Sequence, residues 1–183
     1  MTQFGDRSQR ALDALVVLGT LAVLGVLGGL VWNALVTLPV FRRTSHGAVL
    51  GQVQLAGFIG IDGWFVVIAL VAGLVAGALL MYFRPGDPLL TVVLLLAGGG
   101  LASWLMVQVG LLVGPDDPAA VLKHLTAGHT AAVQLHPHAA GVELVWPLAA
   151  LIGGVVVLLG TGPDAGYRRR PGPDAASGPG SPG

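Results

Sequence analysis

The stretch Gly57–Arg84, GFIGIDGWFVVIALVAGLVAGALLMYFR, decides the fold. A polar opening, Asp62-Gly63-Trp64, leads into an apolar run from Phe65 to Phe83, closed by Arg84-Pro85. At 1.5 Å rise per residue, about 20 apolar residues cross about 30 Å of hydrocarbon. Three more runs have this character, so four spans are expected, at about 14–36, 64–83, 89–113 and 142–159. In lipid the backbone must satisfy its own hydrogen bonds, so each is read as a helix. The Val and Ile residues would favour strands in water, but the runs lack the alternation of a membrane barrel.

Composition agrees. Of 183 residues, 54% are apolar and 10% are charged, against about 25% charged in soluble domains. So few charges cannot cover so much apolar surface in water. The net charge is zero and the basic residues are scattered. Nucleic acid, which needs a basic patch, is therefore not an expected partner. There is no cysteine, which removes disulfides, zinc thiolates and thiol nucleophiles.

The expected fold class is an all-α membrane protein: a four-helix bundle, residues 1–161, with a small extracytoplasmic cap from two outer loops. Residues 1–10 are polar, and the first apolar run is too long for a signal peptide, so an uncleaved span is expected. Asp13 reads as a helix-start residue. In the first loop, Val40-Phe41 against Val49 to Leu55 suggests a short hairpin, with Gly57 to Gly63 in the interface. The breakers Arg84-Pro85-Gly86-Asp87-Pro88 suggest an antiparallel hairpin of the second and third spans. Asp117-Pro118 is a helix-start signal, so Ala119 to Thr126 reads as a short amphipathic helix. Residues 162–183 hold 11 glycines and prolines in 22 positions and read as a disordered cytoplasmic tail.

Small residues recur at helical spacing: Gly25 and Gly29, Gly73 and Gly77, Gly98 to Gly100 with Ala102 and Ser103, and Ala149, Ala150, Gly153 and Gly154. Such faces let helix backbones approach closely, so a tight bundle is expected.

With four spans both termini lie on one side. That side carries Arg7, Arg10, Arg84, Arg168, Arg169 and Arg170; the other carries Arg42, Arg43 and Lys123. The positive-inside bias puts the termini in the cytoplasm, with the plasma membrane as the expected location. Trp32, Trp64 and Trp146 then fall at the outer interface. The two outer loops share a pattern: Val53-Gln54-Leu55 before Asp62 and Trp64, and Val133-Gln134-Leu135 before Glu143 and Trp146. This is either a parallel repeat of two helical hairpins or a coincidence between low-complexity segments.

No charge is expected near the middle of a span, unlike ion-coupled transporters and proton relays. Of the mid-span polar residues, Gln108 reads as a hydrogen-bond partner for a neighbouring helix. Polarity gathers on the outer face instead. The candidate site residues are Asp62, Glu143, Arg42, Arg43, His136 and His138. His136 and His138 share a face on an extended chain. With Glu143 or a histidine of the short helix they could hold a divalent metal; the alternative is a solvated loop. His124 and His129 are five apart, not four, and no His-Glu-x-x-His pattern occurs. Asp62 and Glu143 fit interfacial helix starts better than acid–base catalysts. Arg42 or Arg43 is expected to pair with Asp62, Asp116, Asp117 or Glu143. No nucleophile–base pair, phosphate loop or nucleotide fingerprint is present, so neither metal nor cofactor is assigned.

Three segments carry a family resemblance: Phe58-Ile59 with Asp62-Gly63-Trp64-Phe65, Val109-Gly110-Leu111-Leu112-Val113-Gly114-Pro115, and Trp146-Pro147-Leu148-Ala149-Ala150. Over about residues 12–160 the chain resembles an uncharacterised actinobacterial integral membrane family, a domain of unknown function. The resemblance implies a four-span plasma-membrane protein and no particular activity. Two function classes follow. One is a non-enzymatic accessory or scaffold component of the envelope or of a transport complex, with the lipid bilayer and a membrane-protein partner or second copy as its contacts. The other is a small transporter or ligand-binding protein with a site under the cap.

Overall fold

The computed structural model describes residues 3–44, 47–49, 52–83, 88–116, 121 and 130–160; side chains are described at 11–40, 57–83, 89–116, 121 and 132–160. Four helices dominate: α1 (Gln3–Leu35), α2 (Gln52–Phe83), α3 (Pro88–Val113) and α4 (Val145–Gly160). A single 3₁₀ turn, Val142–Leu144, precedes α4. The spans long and apolar enough to cross a membrane are Ala11–Leu35, Gly57–Phe83, Leu89–Val113 and Val142–Gly160. The described residues thus build a four-helix bundle, each helix long and apolar enough to span a membrane, as the apolar runs demand.

Two helix starts lie earlier than the sequence suggests. Asp13 is well inside α1, not at its start. Gly57 to Gly63 is helical, and so is Gln52 to Leu55. Weak alternation over a few residues loses to an adjoining helix, which satisfies every added backbone group by an i to i−4 bond.

The loops meet in a three-stranded sheet of order β2–β1–β3, where β1 is Val40–Thr44, β2 is Gly47–Val49 and β3 is Thr130–Ala132. Both pairings are antiparallel, and Arg42 lies opposite Val49 on one side and Thr130 on the other. Val40 and Phe41 pair with Ala132 and Ala131 of the second loop; of the stretch expected opposite them, Gln52 to Leu55 is helical, and Leu50 and Gly51 lie outside the described residues. The bond from Val133 N–H to the Pro39 carbonyl, 2.9 Å, extends this pairing. The expected helix at Ala119 to Thr126, except Val121, and the tail 162–183 lie outside the described residues.

Packing does not follow chain order. The principal pairs are α1 with α3 and α2 with α4, followed by α3 with α4; α2 and α3 touch little. The short turn between α2 and α3 therefore does not produce a packed hairpin. Glycines explain why. A Cβ on Gly25 would lie 2.5 Å from the Ala102 carbonyl oxygen, and one on Gly29 would lie 2.7 Å from Val109 Cβ. On the other pair, a Cβ on Gly73 would lie 2.8 Å from Ala149 Cβ, and one on Gly77 would run into the Ala150 carbonyl. In each pair the contacts advance in the same direction along both helices, so each close pair is parallel. Backbone approach of this kind is the membrane substitute for a hydrophobic driving force.

The core runs through the bundle from Val17, Leu21 and Leu95 to Trp32, Ile61, Phe65, Met106, Leu135 and Trp146. Trp32 and Trp146 are fully buried, so they are not interfacial anchors as their positions suggest. Each indole N–H finds a partner: Trp32 donates to the Ile61 carbonyl at 2.9 Å, and Trp146 to Met106 Sδ at 3.3 Å. The Trp32 ring meets Phe65 edge-on, with centroids 5.2 Å apart. A buried indole needs such a partner, and helix α2 supplies one from its own backbone.

Candidate functional site

The loop before α4 shapes the site. Helix α3 has 26 residues and α4 only 16, a difference of about 15 Å at 1.5 Å per residue. The chain between β3 and α4 occupies the missing height. Leu135, fully buried, packs against Gly110 and Gly114 near the end of α3. Pro147, in the first turn of α4, packs against Gly99. Between these contacts the chain descends as Leu135–Gly141 and the 3₁₀ turn. Gly141, at φ 83°, makes the left-handed step that starts this turn.

An irregular segment wedged beside apolar helices needs partners for its backbone N–H groups. Asp62 supplies two. Its Oδ1 accepts from His138 N–H at 2.8 Å and its Oδ2 from Ala139 N–H at 2.9 Å. Asp62 lies inside α2 and inside the second candidate span, so it is not the helix-start residue its neighbours suggest. A carboxylate that accepts two amides from a remote loop is a structural clamp. The His138 ring packs edge-on against Phe58 at 4.7 Å, closing the other side of the clamp.

Glu143 has a different setting. It is exposed, in the 3₁₀ turn, four residues before Pro147 and therefore near the level of Ser103. That level is about 15 Å along α3 from its end at Val113. Asp62 and Glu143 are thus not equivalent, and neither are their tryptophans: Trp64 is 41% exposed and Trp146 fully buried. The parallel drawn between the two loops fails in the same way, since Val53-Gln54-Leu55 is helical and Val133-Gln134-Leu135 is not.

Glu143 opens onto a pocket of about 330 Å³ between α3 and the start of α4. Its polar lining comprises Ser103, Gln108, His136 and Glu143, and its aromatic wall is Trp104. Ser103 is 2% exposed, and its Oγ has no hydrogen-bond partner among the described residues. His136 Nδ1 bonds the Pro137 carbonyl. A carbonyl only accepts, so Nδ1 carries the proton and Nε2 of the neutral ring is left as an acceptor.

Of the candidate residues, the fold joins Asp62 to the backbone of His138 and puts His136 with Glu143 in the pocket. The His136 and His138 rings lie 6.3 Å apart, nearly perpendicular. Among the described residues no three His, Asp or Glu groups come together as a metal site. Arg42 and Arg43 belong to β1, but their side chains lie outside the described residues, as do His124, His129 and Asp117; the proposed arginine pairing falls there too. Ser103 and Trp104 were not among the candidates. One signal could have found them: Gly100, Ser103, Trp104, Val107, Gln108 and Leu111 recur at intervals of three and four, one polar-edged stripe on an otherwise apolar helix.

A second concavity is apolar. A groove of about 810 Å³ runs between α1 and α2 from Val16 and Phe83 to Leu35 and Trp64; among the described residues its lining is apolar apart from the Thr20 hydroxyl and the Trp64 indole N–H. No family model, no curated protein and no solved structure matches this chain.

Proposed function

We propose that this four-span protein lies in the plasma membrane with both termini cytoplasmic and acts as a non-enzymatic accessory or scaffold component of the cell envelope or of a transport complex. The observation that carries this reading is the α1/α2 groove. It runs nearly the height of the span, its lining is apolar, and α1 and α2 touch only loosely beside it. Such a groove has room for the side chains of a partner's transmembrane helix, which would take the place of lipid chains there. Asp62 is consistent with a scaffold, because its two acceptors are engaged in holding the protein's own loop. The arginine distribution supports the orientation, six on the terminal side against three basic residues opposite.

A photo-crosslinking side chain at Val71, exposed and on the groove wall, tests this. After mild extraction, a stoichiometric protein adduct is expected. Adducts with lipid alone would overturn the scaffold reading. A second reading, ligand binding beside the outer loops, is favoured by one observation: the buried, unpartnered Ser103 Oγ in a pocket that also holds Glu143.

A further inference from the structure

We propose that the pocket between α3 and the start of α4 binds a primary ammonium group, drawn from the head group of a membrane amphiphile; the inference rests on the second reading above. Each polar side chain of the lining can accept a hydrogen bond, although Ser103 and Gln108 can also donate. Glu143 is acceptor-only when ionised, and a neutral His136 ring with its Nδ1–H on the Pro137 carbonyl has Nε2 as an acceptor. Gln108 contributes an amide oxygen, and Ser103 an oxygen without a partner. Among the described residues, no lysine or arginine lines the pocket. A primary ammonium has three N–H donors, a positive charge and no acceptor. It therefore complements this lining, whereas an anion would meet the Glu143 carboxylate.

Two further features agree. Trp104 also lines the pocket, and an indole is the side chain that best attracts a cation over its face. Trp104 is 58% exposed and Leu144 60% exposed, so the rim is apolar and faces outward from two spanning helices. An amphiphile can enter from the bilayer with its chains outside and its head at Glu143. An ionisable residue inside a candidate span also carries a cost that function commonly explains. Burying Ser103 without a partner is a second such cost, which a ligand donor would remove.

The test uses the full-length chain in nanodiscs of three compositions: phosphatidylethanolamine, phosphatidylcholine and phosphatidylglycerol. Lipid retained after detergent exchange is read by native mass spectrometry, with free ethanolamine as competitor. Selective retention of phosphatidylethanolamine is expected. Glu143→Gln should lower it by about tenfold or more, and Ser103→Ala by about threefold to tenfold. Both substitutions nearly preserve shape, and an unchanged melting temperature in detergent without lipid verifies folding. Competition by millimolar ethanolamine would support the ammonium chemistry but assign the occupant to a soluble amine. Equal retention of phosphatidylcholine, whose quaternary nitrogen has no N–H, would overturn the proposal; if that retention still needed Glu143, ligand binding itself would stand. Retention that ignores both substitutions would overturn the proposal and the second reading together.

Discussion

The carboxylate of Asp62, inside the second helix, accepts the backbone N–H of Ala139 across 77 residues of chain at 2.9 Å. The neighbouring N–H of His138 occupies its other oxygen. This geometry explains an acid in an apolar helix: the loop that replaces the top of α4 needs acceptors, and α2 provides them. Asp62→Ala should release the loop, raising hydrogen exchange at His138 and Ala139 and lowering the melting temperature in detergent. Asp62→Asn, which keeps one acceptor, should fall between. Unchanged exchange at both amides in Asp62→Ala would refute the clamp.

Gly77 and Gly63 make a controlled pair on one helix. A Cβ at Gly77 would enter the Ala150 carbonyl, whereas one at Gly63 would meet nothing within 4 Å. Gly77→Ala should therefore reduce yield and melting temperature. Gly63→Ala should be neutral or stabilising by up to about 1 kcal/mol, the ordinary helical preference for alanine. Equal melting temperatures for the two variants would mean that α2 and α4 do not meet at Gly77.

Trp32 and Trp146 are both fully buried but differ in partner quality. Trp32→Phe removes a bond to a carbonyl and should cost about 0.5–1.5 kcal/mol beyond any packing loss. Trp146→Phe removes a contact to a thioether, a weak acceptor, and should cost less. Thermal denaturation of both in the same detergent checks the order, and a reversed order would contradict it.

Since the chain has no cysteine, single cysteines report topology cleanly. Ser45→Cys and Thr126→Cys should react with an impermeant maleimide on intact cells, and Ser177→Cys only after lysis. The reverse pattern would turn the proposed orientation over.

The four spans were legible because a long apolar run has few other physical solutions. The helix starts were less so: Gln52 to Leu55 carries a strand-like alternation that only the adjoining run overrules. Helix pairing was half legible. The small-residue faces at Gly25, Gly29, Gly73 and Gly77 were visible, but spacing does not say which helix a face meets. Local turn signals at Pro85 and Pro88 pointed to α2 with α3, and the glycines chose otherwise. Of the site, His136 and Glu143 were visible as outer polar residues. Their meeting with Ser103 depends on how far the loop descends beside α3, which is set by Leu135 on Gly110 and by Pro147 on Gly99, contacts with no local signature. The role of Asp62 was misjudged for the same reason, because its partners are backbone groups of a distant segment.

The cross-pairing of α1 with α3 and α2 with α4 has a consequence for biogenesis. Neither the first two spans nor the last two contain their own principal contacts. An early-emerging pair must wait in the bilayer, with Gly25, Gly29, Gly73 and Gly77 facing lipid, until the later pair arrives. High contact order of this kind slows folding and prolongs exposure of unfinished surfaces. The same interlock makes covalent continuity dispensable: two fragments divided between α2 and α3 and produced together should find each other and reassemble, each supplying the backbone grooves that the other lacks.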